Sequence, residues 1–187
     1  MKSQDILVLL KWVSLESQEL GALDRARPGV AVSFDPFSVR ELGQALYISK
    51  TEISESLHRS VDAGLAIRSH GRIKPNRRNM LEFMIHGLKY AFPAKKGATE
   101  RGIETAFAAP MLQGDLISAG SEIFVWPFAE GKARGASVTP LFKSAPQAAL
   151  QDALLYEYLA LIDAVRLGNQ RESKLAGQKL EHRLLQP

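Results

Sequence analysis

The chain has 187 residues, enough for one large or two small domains, and its 45% hydrophobic content is typical of a protein that buries a core. It contains no cysteine, which excludes disulfide bonds, thiolate zinc sites and thiol nucleophiles. The net charge of +4 is unevenly distributed, because nine Lys and Arg stand against two Glu between Ala66 and Arg101.

The amino-terminal residues predict an amphipathic helix that ends near residue 20. Four apolar residues recur there at helical spacing: Ile6, Leu7, Leu10 and Val13. The apolar run is too short for a membrane span or a secretory leader, so we expect a cytoplasmic protein without a membrane partner. The next stretch, Arg27 to Pro36, holds two prolines and a glycine and is predicted to be a linker.

Two helix-start signals follow close together. Ser38 with Glu41, and Ser49 with Glu52, each fit the capping box, in which the side chains satisfy amide groups that are unpaired at a helix start. Two starts only eleven residues apart predict a short helix, a tight turn and a second helix that ends at Gly64. The apolar residues of this segment predict its buried side: Val39, Leu42, Leu46, Ile48, Ile53, Leu57 and Val61.

If the apolar stripe of the second helix is buried, its polar residues must project outward. These are Lys50, Thr51, Ser54, Glu55 and His58. A helix fits the major groove of DNA, where residues in its first turns reach base edges. Glu55 repels phosphate, so it either reads a cytosine amino group or indicates a shallow docking.

The stretch Val39–Arg59, continued by Ala63-Gly64-Leu65, resembles the winged helix-turn-helix of MarR-like bacterial repressors. The resemblance covers residues 38 to about 78 and implies that the second helix is the recognition helix and that a wing follows Leu65. Tyr47 stands where such turns usually carry glycine, which implies an altered turn conformation. Glu55 stands where a basic or small polar residue is common, which places the base contacts in doubt.

The segment after Leu65 predicts a basic hairpin, with Gly71 at its tip between strands Ala66–Arg68 and Arg72–Lys74. Six cationic or titratable residues lie there without an acid between them: Arg68, His70, Arg72, Lys74, Arg77 and Arg78. A solvated basic face has the same pattern, but the adjacent helix-turn-helix favours contact with phosphates.

The remainder of the chain predicts a mixed region. Asn79 is predicted to cap a helix that runs through Tyr90, and residues 93–120 are predicted to be mostly irregular. Strands at Ser121–Trp126 and Ser137–Phe142 are predicted to form a hairpin. Two helices follow, one from Pro146 to Gly168 and a last one capped by Asn169 and Glu172.

No cluster of residues indicates catalysis, a cofactor or a metal, so we expect a protein that is not an enzyme. The four histidines are scattered, and the glycine loops lack a phosphate-binding motif. The acids of the long carboxy-terminal helix are predicted to be solvated charges: Asp152, Glu157 and Asp163.

These observations predict a mainly α fold with small β elements, in which residues 1–92 form a winged helix-turn-helix and residues 93–187 a region for dimerisation or partner binding. The predicted function is sequence-specific regulation of transcription by a homodimer bound to double-stranded DNA. The alternative is an antitoxin-like or adaptor protein that holds a protein partner with its carboxy-terminal half. The residues predicted to bind DNA are Ser38, Arg40, Ser49, Lys50, Thr51, Ser54, Glu55, His58, Arg68, Arg72, Lys74, Arg77 and Arg78.

Overall fold

The computed structural model of the chain describes residues 1–23, 35–113 and 122–185, and these are mostly helical with a hairpin and a small sheet. They separate into two compact units, Met1–Asn76 and Arg77–Pro187. The boundary expected from the sequence, after residue 92, lies further along the chain. The helix that follows the hairpin therefore belongs to the second unit.

The first unit contains three helices and a hairpin. They are α1 (Ser3–Leu23), α2 (Val39–Leu46), α3 (Lys50–Asp62), β1 (Ala66–Ser69) and β2 (Arg72–Pro75). All five elements were predicted, and the strands are each one residue longer than expected. Most of the predicted linker, residues 27–34, lies outside the described residues.

The interior of the first unit is built around α1, which contacts α2, α3 and β2. The prediction that α1 is amphipathic is wrong, because its residues are buried on every side from Gln4 to Ser14. Val8 and Leu9, on the side expected to be polar, are fully buried. The Trp12 ring lies 4.9 Å from that of Phe37, which ties α1 to the turn before α2.

The second unit opens with a helix of mixed geometry. Residues Arg77–Glu82 form α4, Phe83–Gly87 form a π-helical turn, and Leu88–Ala91 form α5. The prediction that Asn79 caps this helix is wrong, because α4 begins two residues earlier. Met80, Met84 and Leu88 are fully buried.

The sheet of the second unit has three strands, β3 (Lys96–Thr105), β4 (Phe124–Pro127) and β5 (Ala133–Val138). The prediction of irregular structure is wrong for β3, whose ten residues pair antiparallel with both other strands. The predicted hairpin is also wrong, since β4 and β5 run parallel and β5 starts within the predicted loop. Because every strand pairs with the other two, the sheet is a small closed barrel.

The carboxy-terminal region contains α6 (Ala145–Ala149), α7 (Ala153–Leu167) and α8 (Gln170–Leu185). The helix expected from Pro146 to Gly168 is therefore interrupted. Asp152 causes the new start, because its side chain accepts hydrogen bonds from the amides of Leu154 and Leu155. The capping box of α8 is confirmed.

In that capping box the amide of Asn169 donates to the Glu172 carboxylate at 2.9 Å, and the amide of Glu172 donates to the Asn169 side chain at 3.0 Å. Two orphan donors at the start of α8 are thus satisfied by side chains. Leu180 and Leu184 of α8 are fully buried, so the helix is fixed at both its start and its apolar side.

Candidate nucleic-acid interface

The two sides of α3 differ sharply in exposure. Ile53 is fully buried and Leu57 is 6% exposed, as the apolar spacing predicts, whereas Val61 is only half-buried. Ser56 and Ser60 complete the inner side. Four polar residues of the outer side are exposed, Lys50, Thr51, Glu55 and His58, and Ser54 is half-buried beside them. The outer side of α3 is therefore a continuous polar surface.

The start of each helix is held by the serine half of its predicted capping box. Ser38 accepts a hydrogen bond from the amide of Glu41, and Ser49 accepts one from the amide of Glu52. The glutamate half is not formed at Glu52, whose carboxylate is instead bonded to Lys2, Gln4 and Arg59. Both serines are thus occupied at the helix starts, and Ser49 remains exposed.

A network of charged side chains fixes α3 on α1. Arg59 donates to both carboxylate oxygens of Asp5, at 3.1 and 2.7 Å, and to Glu52 at 2.8 Å. Asp5 is fully buried, so this bidentate pair is shielded from water. Hydrogen bonds from Lys2 and Arg59 lower the pKa of Glu52, and the hydrogen bond to Asp5 raises the pKa of Arg59. The network makes α3 a rigid support for its outer side.

Sequence reasoning missed this network, because its members are far apart in the chain. Arg59 and Asp5 are separated by 54 positions. The available signal was an acid directly before the apolar run of α1. A buried carboxylate needs a charged or hydrogen-bonding partner, so this acid indicates an ion pair without saying with which residue.

The turn between α2 and α3 has a left-handed residue at its centre. Tyr47 has φ 57° and ψ 39°, the conformation that glycine usually supplies there. Tyrosine therefore adopts, at the end of α2, the left-handed conformation that glycine most often supplies at helix ends. Gly43 makes the close approach possible, since a Cβ there would lie 2.7 Å from the carbonyl oxygen of Ile48.

The hairpin turns at His70 and Gly71, which both have positive φ, 49° and 76°. Two such residues between antiparallel strands form a type I′ turn, whose twist matches that of the strands. The predicted position of Gly71 at the tip is confirmed.

The cations of the hairpin project from both faces of its two strands. The register pairs Ile67 with Lys74, Ser69 with Arg72, and Arg68 with Ile73. Arg72 and Lys74 therefore share one face, and Arg68 lies on the other. All three cations are exposed.

A cleft lies between α3 and the hairpin, and we call it the α3–hairpin cleft. Its volume is about 280 Å³. Apolar side chains form part of its lining, among them Trp12, Leu57 and Ile73. Six polar or charged residues also line it: Asp35, Ser38, Ser54, His58, Arg68 and Arg72. Five of these six are residues that the sequence predicts to bind DNA, and Asp35 is the addition.

Three predicted residues lie neither in the cleft nor on the hairpin, α3 or its N-cap. Arg40 is exposed on α2, where its contact with Glu41 is a loose 3.9 Å. Arg77 and Arg78 lie at the start of α4 in the second unit, not on the hairpin. Arg77 is half-buried and donates to the carbonyl of Leu184 at 3.0 Å, which gives it a structural contact within that unit.

The second unit encloses a cluster of polar side chains around Asp163, which is 1% exposed. Its carboxylate accepts hydrogen bonds from Trp126 at 2.6 Å and Thr105 at 2.9 Å, and pairs with Arg166 at 2.6 Å. Burial raises the pKa of Asp163, while Arg166 and the two hydrogen bonds oppose that effect. This cluster joins α7 to the sheet.

The prediction of solvated acids on this helix is wrong. Asp152, Glu157 and Asp163 are all buried. Each has a specific partner: the helix start for Asp152, Arg183 for Glu157 and Arg166 for Asp163. Acids at these positions therefore hold elements together instead of facing water.

No protein-family model, curated protein or solved structure matches the chain. Within residues 1–23, 35–113 and 122–185, no group of His, Asp and Glu is arranged to hold a metal ion. In the same part of the chain, every helix is too short or too polar to span a bilayer.

Proposed function

We propose that the chain regulates transcription by binding double-stranded DNA through Met1–Asn76, which acts as a winged helix-turn-helix. In this proposal α3 is the recognition helix and the β1–β2 hairpin is the wing. The observation that carries it is the meeting of two surfaces at the α3–hairpin cleft, the exposed polar side of α3 and the cationic hairpin. The rigid attachment of α3 to α1 supports it further, because a reader of base edges must hold its position.

Recognition of bases falls to the first two turns of α3. An α-helix is about 10–12 Å wide with its side chains and enters a major groove about 12 Å wide. Lys50 donates to the acceptor atoms of guanine, and Thr51 and Ser54 bond to bases or phosphates. Glu55 accepts a hydrogen bond from the amino group of cytosine, since its carboxylate is repelled by phosphate.

Affinity for the DNA backbone falls to the three permanent cations of the hairpin: Arg68, Arg72 and Lys74. Each phosphate that a cation neutralises releases counterions, which steepens the slope of log affinity against log salt by about 0.9. Binding is therefore expected to weaken steeply as salt increases.

The test is a salt series of fluorescence anisotropy titrations with a labelled mixed-sequence duplex. Arg68→Ala and Lys74→Ala should each reduce the magnitude of the slope by about 0.9. Lys143→Ala is the matched control, because Lys143 is an exposed cation of the second unit and should leave the slope unchanged. Equal slopes for all variants would contradict the assignment of the wing.

Sequence preference needs a second experiment, in which bound genomic fragments are selected and sequenced. Lys50→Ala and Ser54→Ala should each broaden the range of selected sequences. For Ser54→Ala, the slope of log affinity against log salt on mixed-sequence DNA should change little. Selection of no common sequence by the wild-type chain, together with a stoichiometric protein partner on purification, would favour an adaptor role instead.

A further inference from the structure

Arg72 of the hairpin already has an anionic partner at the α3–hairpin cleft. Its Nη2 atom lies 3.2 Å from Oδ2 of Asp35. The other carboxylate oxygen, Oδ1, accepts a hydrogen bond from the amide of Phe37 at 3.1 Å, and the Phe37 ring packs on Trp12. The carboxylate of Asp35 is thus held against the hairpin by the turn that starts α2.

This ion pair is weak enough to be exchanged. The side chain of Arg72 is 56% exposed and that of Asp35 43% exposed. Exposed pairs of this kind contribute little free energy, because water screens both charges. A phosphodiester offers the same guanidinium two charged oxygens for a bidentate pair, whereas Asp35 contacts it through Oδ2 alone, because Oδ1 is bonded to the amide of Phe37.

The lining of the cleft suits a phosphodiester. Besides Arg72, its lining offers the guanidinium of Arg68, the imidazole of His58 and the hydroxyl of Ser54. These groups donate hydrogen bonds, as phosphate oxygens require.

We propose that the α3–hairpin cleft is the binding site for one backbone phosphodiester of duplex DNA, and that Asp35 takes the place of this phosphate on Arg72 in the free protein. The proposal rests on the DNA-binding function proposed above. Binding exchanges the carboxylate for the phosphate. Asp35 therefore weakens DNA binding, because its pair with Arg72 must break before the phosphate is bound.

The experiment is a double-mutant cycle of wild type, Asp35→Asn, Arg72→Ala and the double variant, measured by anisotropy on a mixed-sequence duplex at several salt concentrations. Asp35→Asn should bind about two- to fivefold tighter at low salt, since it removes an exposed pair. Its salt slope should equal that of wild type, because Arg72 contacts the phosphate in both complexes. The gain in affinity should not occur in the Arg72→Ala background, whose slope should be shallower by about 0.9.

Asp62→Asn is the control for net charge, because Asp62 is an exposed acid at the far end of α3, away from the lining of the cleft. It should tighten binding less than Asp35→Asn does and leave the salt slope unchanged. An equal gain in affinity for Asp35→Asn and Asp62→Asn, or weaker binding by Asp35→Asn, would overturn the proposal while the DNA-binding function stands. A wild-type chain that binds no duplex even at low salt would overturn both.

Discussion

Tyr47 has a left-handed backbone conformation that is unfavourable for a residue with a Cβ atom. The left-handed region costs a residue with a Cβ atom about 1 kcal/mol or more relative to glycine. The Tyr47 side chain is 49% exposed, so its ring contributes little burial in return. We expect Tyr47→Gly to raise the free energy of unfolding by about 1 kcal/mol, measured by urea denaturation followed by circular dichroism.

Tyr47→Ala is the matched control, because alanine removes the ring and keeps the Cβ atom. It should not stabilise the chain. If glycine and alanine lower the free energy of unfolding equally, the ring matters more than the left-handed backbone, and the explanation by strain is wrong.

Asp163 is the residue on which the interior of the second unit most depends. Asp163→Ala leaves the guanidinium of Arg166 without its buried partner and the indole N–H of Trp126 without its acceptor. Removal of one member of a buried pair destabilises proteins by about 3–5 kcal/mol. We expect the free energy of unfolding to fall by this amount. Denaturation monitored by Trp126 fluorescence, in a Trp12→Phe background, measures the loss.

A double variant separates the unpaired charge from the loss of contacts. Asp163→Leu combined with Arg166→Leu removes both charges and should recover much of the lost free energy, because apolar replacements of a buried pair are often neutral. A loss below about 1 kcal/mol for Asp163→Ala would show that the carboxylate is not needed for the packing of α7.

At the scale of elements, local signals were sufficient for the first unit. Capping serines, an apolar spacing and a positive-φ glycine lie within a few residues of the elements they define, and α2, α3 and the hairpin follow from them. Local signals were insufficient for β3, which is half polar and is stabilised by partners on both sides. Parallel pairing of β4 with β5 is equally non-local.

The candidate site divides in the same way. The outer residues of α3 and the hairpin cations could be placed from the sequence, because each is fixed by the element that carries it. Asp35 could not, since its importance depends on the fold that brings it to Arg72, 37 positions away. The partner of Asp5, Arg59, could not be predicted for the same reason.

The β3–β5 pair contains a repulsion that substitution should relieve. Arg101 and Arg134 lie directly opposite each other in the antiparallel register. Like charges in such positions destabilise a sheet, and opposite charges contribute roughly 0.2–1 kcal/mol. We expect Arg134→Glu to raise the free energy of unfolding by about this amount at low salt, and by less in 1 M salt.

Lys132→Glu makes the same change in net charge just before β5 and outside the paired register, so it is the control. Equal gains for the two variants would indicate a general effect of net charge, and the cross-strand explanation would then fail.

At the scale of the whole molecule, arrangement matters more than total charge. The unit Met1–Asn76 has ten Lys and Arg and nine Asp and Glu, so its net charge is nearly zero. Attraction to DNA must then come from where the cations lie. The outer side of α3 and the hairpin carry four exposed cations, of which Arg68 and Arg72 line the cleft, while Asp5 and Glu52 neutralise Arg59.

The salt slope reports the number of copies on DNA. Three permanent cations of each copy contact phosphates in the proposed complex, Arg68, Arg72 and Lys74, because Lys50 is assigned to guanine. One copy should then give a slope of about −2.7, and a twofold pair about −5.4. We expect a homodimer that reads two half-sites about 34–36 Å apart, because one short helix alone distinguishes few bases.

Stoichiometric anisotropy titrations on a selected full-length site measure the number of copies per duplex and the salt slope. Sedimentation equilibrium measures the oligomeric state of the free protein. Two copies should bind per duplex with the steeper slope. A duplex cut to one half-site is the control, since it should bind one copy with about half the slope. A single copy on the full site with a slope near −2.7 would mean that the chain acts on DNA as a monomer.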